Sequence, residues 1–171
     1  MDAVDQILAQ WNAARPDLNV RAMGPLGRFK RVAQIFNREM SVTFEKYGLN
    51  AAGFDVLATL RRTPPHALSA GELMSSMMIT SGTMTNRIDQ LAKSGLVCRT
   101  ADPKDARKAV VQLTEAGRSL IDQAVSEHVK TQAGLLARLE EEEISTLDQI
   151  LRKLLSEEKP ASEEQPSFRQ E

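Results

Sequence analysis

Bond-making chemistry has few residues to draw on in this chain. His66 and His128 are its only histidines, far apart and without metal-ligand spacing. His66 lies in a Pro-Pro loop, and His128 in a helical stretch where packing or solvation suits it. No nucleophile motif, P-loop or Gly-rich dinucleotide turn is present. Catalysis, a cofactor and a metal are therefore not expected. Cys98 is the single cysteine, so no internal disulfide can form, which fits a reducing compartment. A redox role for it lacks a resolving thiol, although Arg99 beside it would favour a thiolate. A small strand residue turned inward is the plainer reading.

Non-covalent chemistry has more to offer. TSGTMTNRIDQLAKSGLV, residues 80–97, opens on weak helix formers and still keeps a helical pattern. At the helical step, Met84, Ile88, Leu91 and Ala92 share one stripe, with Gly82, Asn86, Asp89 and Lys93 opposite. Its outer half carries Ser81, Gly82, Thr83, Thr85, Asn86 and Gln90. Short donors and acceptors let a helix approach base edges and phosphates closely, and an N-terminus capped by Thr80 or Ser81 favours phosphate. An ordinary surface helix would favour Glu, Lys and Ala instead. Arg87 lies about 85° from the centre of the apolar stripe. It either snorkels to a phosphate or closes a pocket behind the DNA-reading face.

The elements that must position these residues can be read around them. Asp2 caps a first helix with Val4, Ile7, Leu8 and Trp11 at helical spacing, and Pro16 ends it. A second helix starts after Gly24-Pro25 and runs to Lys46, with Gly48 as its stop. Asn50 caps a third, AAGFDVLATLRR, which ends before Thr63. Ser69 and Glu72 have capping-box spacing at the start of a short fourth helix, and Ser69 joins the candidate DNA contacts. The helix holding Arg87 follows, with Gly95 as its C-terminal cap. Residues 96–100 and 109–113 are short β-capable runs around the charged turn ADPKDARK. Thr114 opens a long helix to about Leu139. Ile144, Leu147, Ile150, Leu151, Leu154 and Leu155 mark a last amphipathic one. KPASEEQPSFRQE reads as a disordered tail.

Short helix, turn, helix and basic-tipped hairpin define a winged helix-turn-helix, whose second helix enters the major groove. The hairpin tip offers Lys104, Arg107 and Lys108 to a minor groove, whose negative potential attracts Arg. The fold class expected is mainly α, with long dimerisation helices and a two-stranded β wing. Residues 1–17 form an N-terminal extra helix. Residues 18–48 and 114–158 form a helical dimerisation region, 49–113 the DNA-binding lobe, and 159–171 the tail.

Charge agrees with this layout. The net charge is -1 and the pI about 6.2, with no global basic signature. The balance is local: residues 20–63 hold eight Lys/Arg against three Asp/Glu, and 139–171 hold four against ten. The acidic N-terminus lacks signal-peptide character, and no apolar run reaches the ~18 residues of a membrane span. A cytoplasmic, nucleoid-associated protein is expected.

The segment from Phe54 to Leu120 resembles the MarR family of bacterial transcription regulators. The matching pieces are FDVLATLRR, SAGELM, TSGTMTNRIDQLAKSGLV, DPKDARK with its Asp105-Ala-Arg107 element, and VQLTEAGRSL. QWNAARPDL, with Trp11, is similar to the extra helix and Pro-Asp-Leu turn of the urate-responsive branch. That resemblance implies a ligand pocket of Trp11, Asp55, Arg87 and Arg99, although Cys98 before Arg99 departs from the branch. Two guanidiniums would pair with the oxygens of a planar heterocyclic anion, a carboxylate would accept a ring N–H, and the indole would supply a wall. The partners implied are a double-stranded operator, a small aromatic anion and a second copy of the chain. Such a pocket would take an aromatic carboxylate, such as indole-3-acetate or a phenolic acid, nearly as well as a purine.

Overall fold

The computed structural model describes residues 1–77, 81–102 and 109–156, without the side chains of 81–83. Along the described chain run α1 (Ala3–Ala14), α2 (Met23–Glu45), α3 (Ala51–Arg62), β1 (Ala67–Leu68), α4 (Ala70–Met77), α5 (Ser81–Lys93), β2 (Val97–Ala101), β3 (Ala109–Leu113), α6 (Glu115–Leu136) and α7 (Glu141–Ser156). The chain divides into two compact units, Met1–Gln132 and Ala133–Glu171.

Local chemistry explains most boundaries in the first unit. Asp2 accepts hydrogen bonds from the backbone of Val4 at 2.7 Å and Asp5 at 3.0 Å, while Asp5 accepts from the Asp2 N–H at 2.8 Å. This reciprocal cap satisfies N–H groups that the first helical turn leaves unpaired. Arg28 of α2 reaches both carboxylates and pulls Asp2 down to about 2. α2 begins at Met23, before Gly24-Pro25 rather than after it. Pro25 sits in the first turn, where its missing N–H costs no helical bond. Asn50 caps α3 by accepting from Gly53 N–H at 2.8 Å. Gly48 and Gly95, with φ of 66° and 71°, end α2 and α5 in the left-handed region that favours glycine.

The sheet is antiparallel in the order β1-β3-β2, so the wing has one strand more than expected. β1 is two residues long and pairs Ala67 with Gln112 and Leu68 with Val111. β2 and β3 pair from Val97 opposite Leu113 to Ala101 opposite Ala109. The turn between them, 103–108, lies outside the described residues.

α3, α4, α5, the sheet and the first part of α6 close over one core. Leu57, Leu60, Leu73, Met84, Ile88 and Ile121 are fully buried there. Burial of each such side chain contributes roughly 1.5–3 kcal/mol. Thr114 locks α6 to the wing: its hydroxyl donates to the Gly95 carbonyl at 2.7 Å and accepts from Gly117 N–H at 3.0 Å. α6 ends at Leu136, one turn short of the Leu139 expected.

In the second unit, α7 buries no residue in a single copy of the chain. Leu147, Ile150, Leu154 and Leu155 are exposed along it. On α2, Leu26, Phe29, Val32, Ile35 and Val42 are likewise exposed. Runs of this kind are unusual on a monomer surface.

Candidate functional site: a recognition helix braced against its wing

α5 places its residues as the helical wheel requires. Met84, Ile88 and Leu91 are buried, while Thr85, Asn86 and Gln90 are exposed on the outer face. Ser81 begins the helix. The side chains of Ser81, Gly82 and Thr83, and all of Thr80, Lys104, Arg107 and Lys108, lie outside what the structure describes. Ser69 is half-buried and already engaged. Its hydroxyl donates to Glu72 at 2.7 Å and accepts from the Glu72 N–H at 3.2 Å, which makes it the cap of α4.

Arg99 lies on β2, opposite Val111, and its Nη2 donates to Asp89 Oδ1 of α5 at 2.6 Å. The wheel set Asp89 on the solvent side of α5; this bond leaves it half-buried beside the wing. Exposed pairs of this kind contribute at most about 1 kcal/mol to stability. This one matters for geometry, because it braces the recognition helix against the sheet.

Arg87 is half-buried on α5, two residues before Asp89. Together with Gln90, Leu91 and Ser94 it lines a cavity of about 170 Å³ that faces Leu49, Asn50 and Gly53 at the start of α3. Two residues beyond Gly53 on α3 is Asp55. Desolvation raises its carboxyl above its ordinary value, against attraction from Arg87, Arg62 and His128. Asp55 is exposed on α3 and does not line that cavity.

His128 of α6 packs tilted against Phe54 and stacks on Phe44, with ring centroids 4.8 and 5.5 Å away. Its Nδ1 is buried without a hydrogen-bond partner, and burial lowers its pKa against the pull of Asp55. The packing role expected for His128 thus comes with a place beside the acid. His66, with φ of 68°, donates from Nδ1–H to the Leu60 carbonyl, 3.2 Å away, near the end of α3.

The structure therefore brings Asp55 and Arg87 into one electrostatic neighbourhood and ties Arg99 to the helix that carries Arg87. It does not join Trp11 to them. Trp11 is 41% exposed on α1 and makes no ring contact among the described residues. Three polar neighbours escaped the sequence reading: Asp89, Arg62 and His128. Arg62 alone had a visible signal, since it follows Asp55 by seven residues on the same helix and so shares its face. Cys98 is a half-buried strand residue. No cluster able to hold a metal ion occurs among the described residues, and no described helix is long and apolar enough to cross a membrane.

Short helix, recognition helix and strand-paired wing, with a polar outer face on α5, define a winged helix-turn-helix protein. The model of the MarR family matches residues 49–109. The HTH-type transcriptional regulator PecS of Dickeya dadantii (strain 3937) is 38% identical over 149 residues, spanning 86% of this chain and 90% of PecS. A mutant MarR of Escherichia coli complexed with operator DNA shares 28% identity and a TM-score of 0.69, over 80% of this chain and 97% of that one. BpsR of Bordetella bronchiseptica, whose DNA binding is regulated by 6-hydroxynicotinic acid, shares 27% identity and a TM-score of 0.66, over 75% of this chain and 91% of its own. The chain belongs to the MarR family, and these relatives are transcription regulators rather than enzymes.

Proposed function

We propose that this protein is a homodimeric repressor released from a pseudo-palindromic operator by a small aromatic anion, with urate the first candidate. The observation that carries the reading is the Asp89–Arg99 bridge on the helix that also carries Arg87, whose charge acts on Asp55. An anion arriving near Asp55 meets Arg87 from the recognition helix. If it also draws the Arg99 guanidinium, it competes with Asp89 for the same donors. The brace between α5 and the wing then loosens, and the DNA-reading surface loses its set. Such a ligand lowers DNA affinity only by binding the DNA-free arrangement better.

Two exposed apolar stripes, on α2 and α7, support dimerisation. A two-fold pair of lobes would set two recognition helices in successive major grooves, about one helical turn apart. In this reading Thr85, Asn86 and Gln90 face base edges, Ser81, Gly82 and Thr83 lie at the phosphate, and Lys104, Arg107 and Lys108 reach the minor groove. Trp11 would form a wall of the ligand site once a second copy, or the ligand itself, covers it.

A second reading, an aromatic carboxylate effector, draws support from the regulation of BpsR by 6-hydroxynicotinic acid. A mobility-shift titration on the protein's own promoter separates the two: urate, indole-3-acetate and phenolic acids are compared for release of DNA. Release that persists in Arg87→Ala would contradict the pocket. Release by peroxide that vanishes in Cys98→Ser would favour a redox sensor instead.

A further inference from the structure

We propose that Gln90 is the residue through which a bound anion reaches the operator, because its side chain lines the Arg87 cavity and borders the outer face of α5. This role rests on the anion reading at Arg87 given above. The cavity, about 170 Å³, lies between α5 and the start of α3. Arg87, Gln90, Leu91 and Ser94 form its α5 wall, and Leu49 and Asn50 face them. No Asp or Glu lines it. Asn50 commits its Oδ1 to the Gly53 N–H, 2.8 Å away, which leaves its amide N–H groups as donors. Among the described residues, the side chains of Arg87, Gln90 and Ser94 make no hydrogen bond or contact ion pair. Donors between leucine walls suit a small planar anion. An apolar cavity of about 150 Å³ holds benzene. This one therefore admits a single ring with its acidic group at Arg87.

The helical angles set Gln90 apart from its neighbours. At about 100° per residue, it lies about 60° from Arg87 and about 40° from Asn86. It is three residues after Arg87, four after Asn86 and four before Ser94, so it adjoins all three on the helix surface. Arg87 is half-buried on the flank and Asn86 is exposed on the outer face. Gln90, exposed between them, belongs to both surfaces. Asp89, which holds the wing through Arg99, leaves α5 about 100° from Gln90, so this route is separate from that bridge.

A glutamine amide in the major groove reads adenine through a pair of bonds, donating to N7 and accepting from the N6 amino group. The same amide can instead donate to the second oxygen of an anion held at Arg87. One rotamer cannot do both. Operator and anion therefore compete for one side chain. The anion binds the DNA-free protein better, because Gln90 is then free to turn toward it. The ordinary alternative is that Gln90 serves DNA alone, in the manner proposed for Asn86, and merely borders the cavity. That alternative predicts lost operator affinity with unchanged coupling.

Calorimetry of the full-length protein tests this, with 6-hydroxynicotinate and urate as separate probes, on the free protein and on the protein saturated with its promoter DNA at one salt concentration. The ratio of the two Kd values is the coupling factor. Gln90→Met keeps the length of the side chain and removes the amide. At an exposed position it should leave the melting temperature unchanged, which establishes the fold. It should weaken probe binding to the free protein by roughly fivefold, the scale of one hydrogen bond. Binding to the DNA complex should not change, so the coupling factor falls by the same fivefold. Asn86→Ala should weaken operator binding and keep the coupling factor. The proposal is overturned if Gln90→Met keeps the parent's coupling factor while Arg87→Ala loses the probe, and the anion site itself then stands. A coupling factor reduced as far in Asn86→Ala also overturns it, since weakened DNA contact alone would then suffice. If Arg87→Ala binds both probes as the parent does, or the parent binds neither, the site falls and the role of Gln90 falls with it.

Discussion

Asp89 of the recognition helix and Arg99 of the wing strand are joined by a 2.6 Å hydrogen bond that spans the turn between α5 and β2. Both side chains remain about half exposed, at 41% and 47%. A pair this wet adds little to stability, yet it ties α5 to β2.

That split between stability and geometry is measurable. Asp89→Asn and Arg99→Gln should each cost less than about 1 kcal/mol in urea denaturation. Each should weaken operator binding by roughly fivefold to tenfold, and the double variant should be no worse than either single one. Additive losses in the double variant would mean that the two residues act on DNA separately.

Asp55 should weaken the fold at neutral pH. Its carboxyl is raised above the unfolded value of 3.8. The folded state therefore holds the proton more tightly, and stability falls as pH climbs through that raised value. Asp55→Asn removes the penalty. Its melting temperature should exceed the parent's at pH 7, with the gap closing below about pH 3, where both states of the parent are protonated. The same variant should lose its response to urate. A variant less stable than the parent at pH 7 would show that Asp55 is held by its cations and not merely desolvated.

Much of the architecture is legible because it is local. Asp2, Asn50, the Ser69–Glu72 pair and Gly95 announce helix ends through side chains that satisfy their own neighbouring backbone. The stripe of Met84, Ile88 and Leu91 follows from helical period alone. β1 is not legible: two residues cannot show an alternation, and the strand exists because β3 offers an open edge. Asp89 was set toward solvent because a wheel sees one helix at a time, while its partner enters from a strand ten residues later. The neighbourhood of Asp55 and Arg87 depends on how α3 packs against α5, which no spacing encodes; it was suggested by family resemblance. Trp11 shows the limit most plainly. Its stripe predicts burial, and a single copy of the chain leaves it exposed.

Gly117 should tolerate no side chain. A Cβ there would lie 1.9 Å from the Leu96 carbonyl oxygen, which is backbone and cannot step aside. Gly117→Ala should lose about 3 kcal/mol or more of stability by denaturant midpoint, on the scale of severe overpacking. Gly134→Ala, on the same helix with nothing within 4 Å, is the control and should be neutral or slightly stabilising.

The apolar stripe of α7 should be an oligomer contact. Leu154 is 61% exposed and Ile150 is 53% exposed in one copy. A Leu154→Asp, Ile150→Asp double variant should sediment as a monomer, keep its helical circular dichroism, and lose operator affinity by on the order of 100-fold, because a half-site alone gives up the second lobe. A variant that remains dimeric would move the interface elsewhere, with the exposed face of α2 the next place to look.

The central claim is that an aromatic anion and the operator compete through this one chain. Coupling between two sites is reciprocal, so it can be read from either ligand. The most direct measurement is the Kd of urate for the free protein and for the protein saturated with its own promoter DNA, at one salt concentration. The account predicts weaker urate binding to the DNA complex, by the same factor with which saturating urate weakens DNA binding, roughly 5-fold to 150-fold. Equal urate affinity in the two states would contradict it.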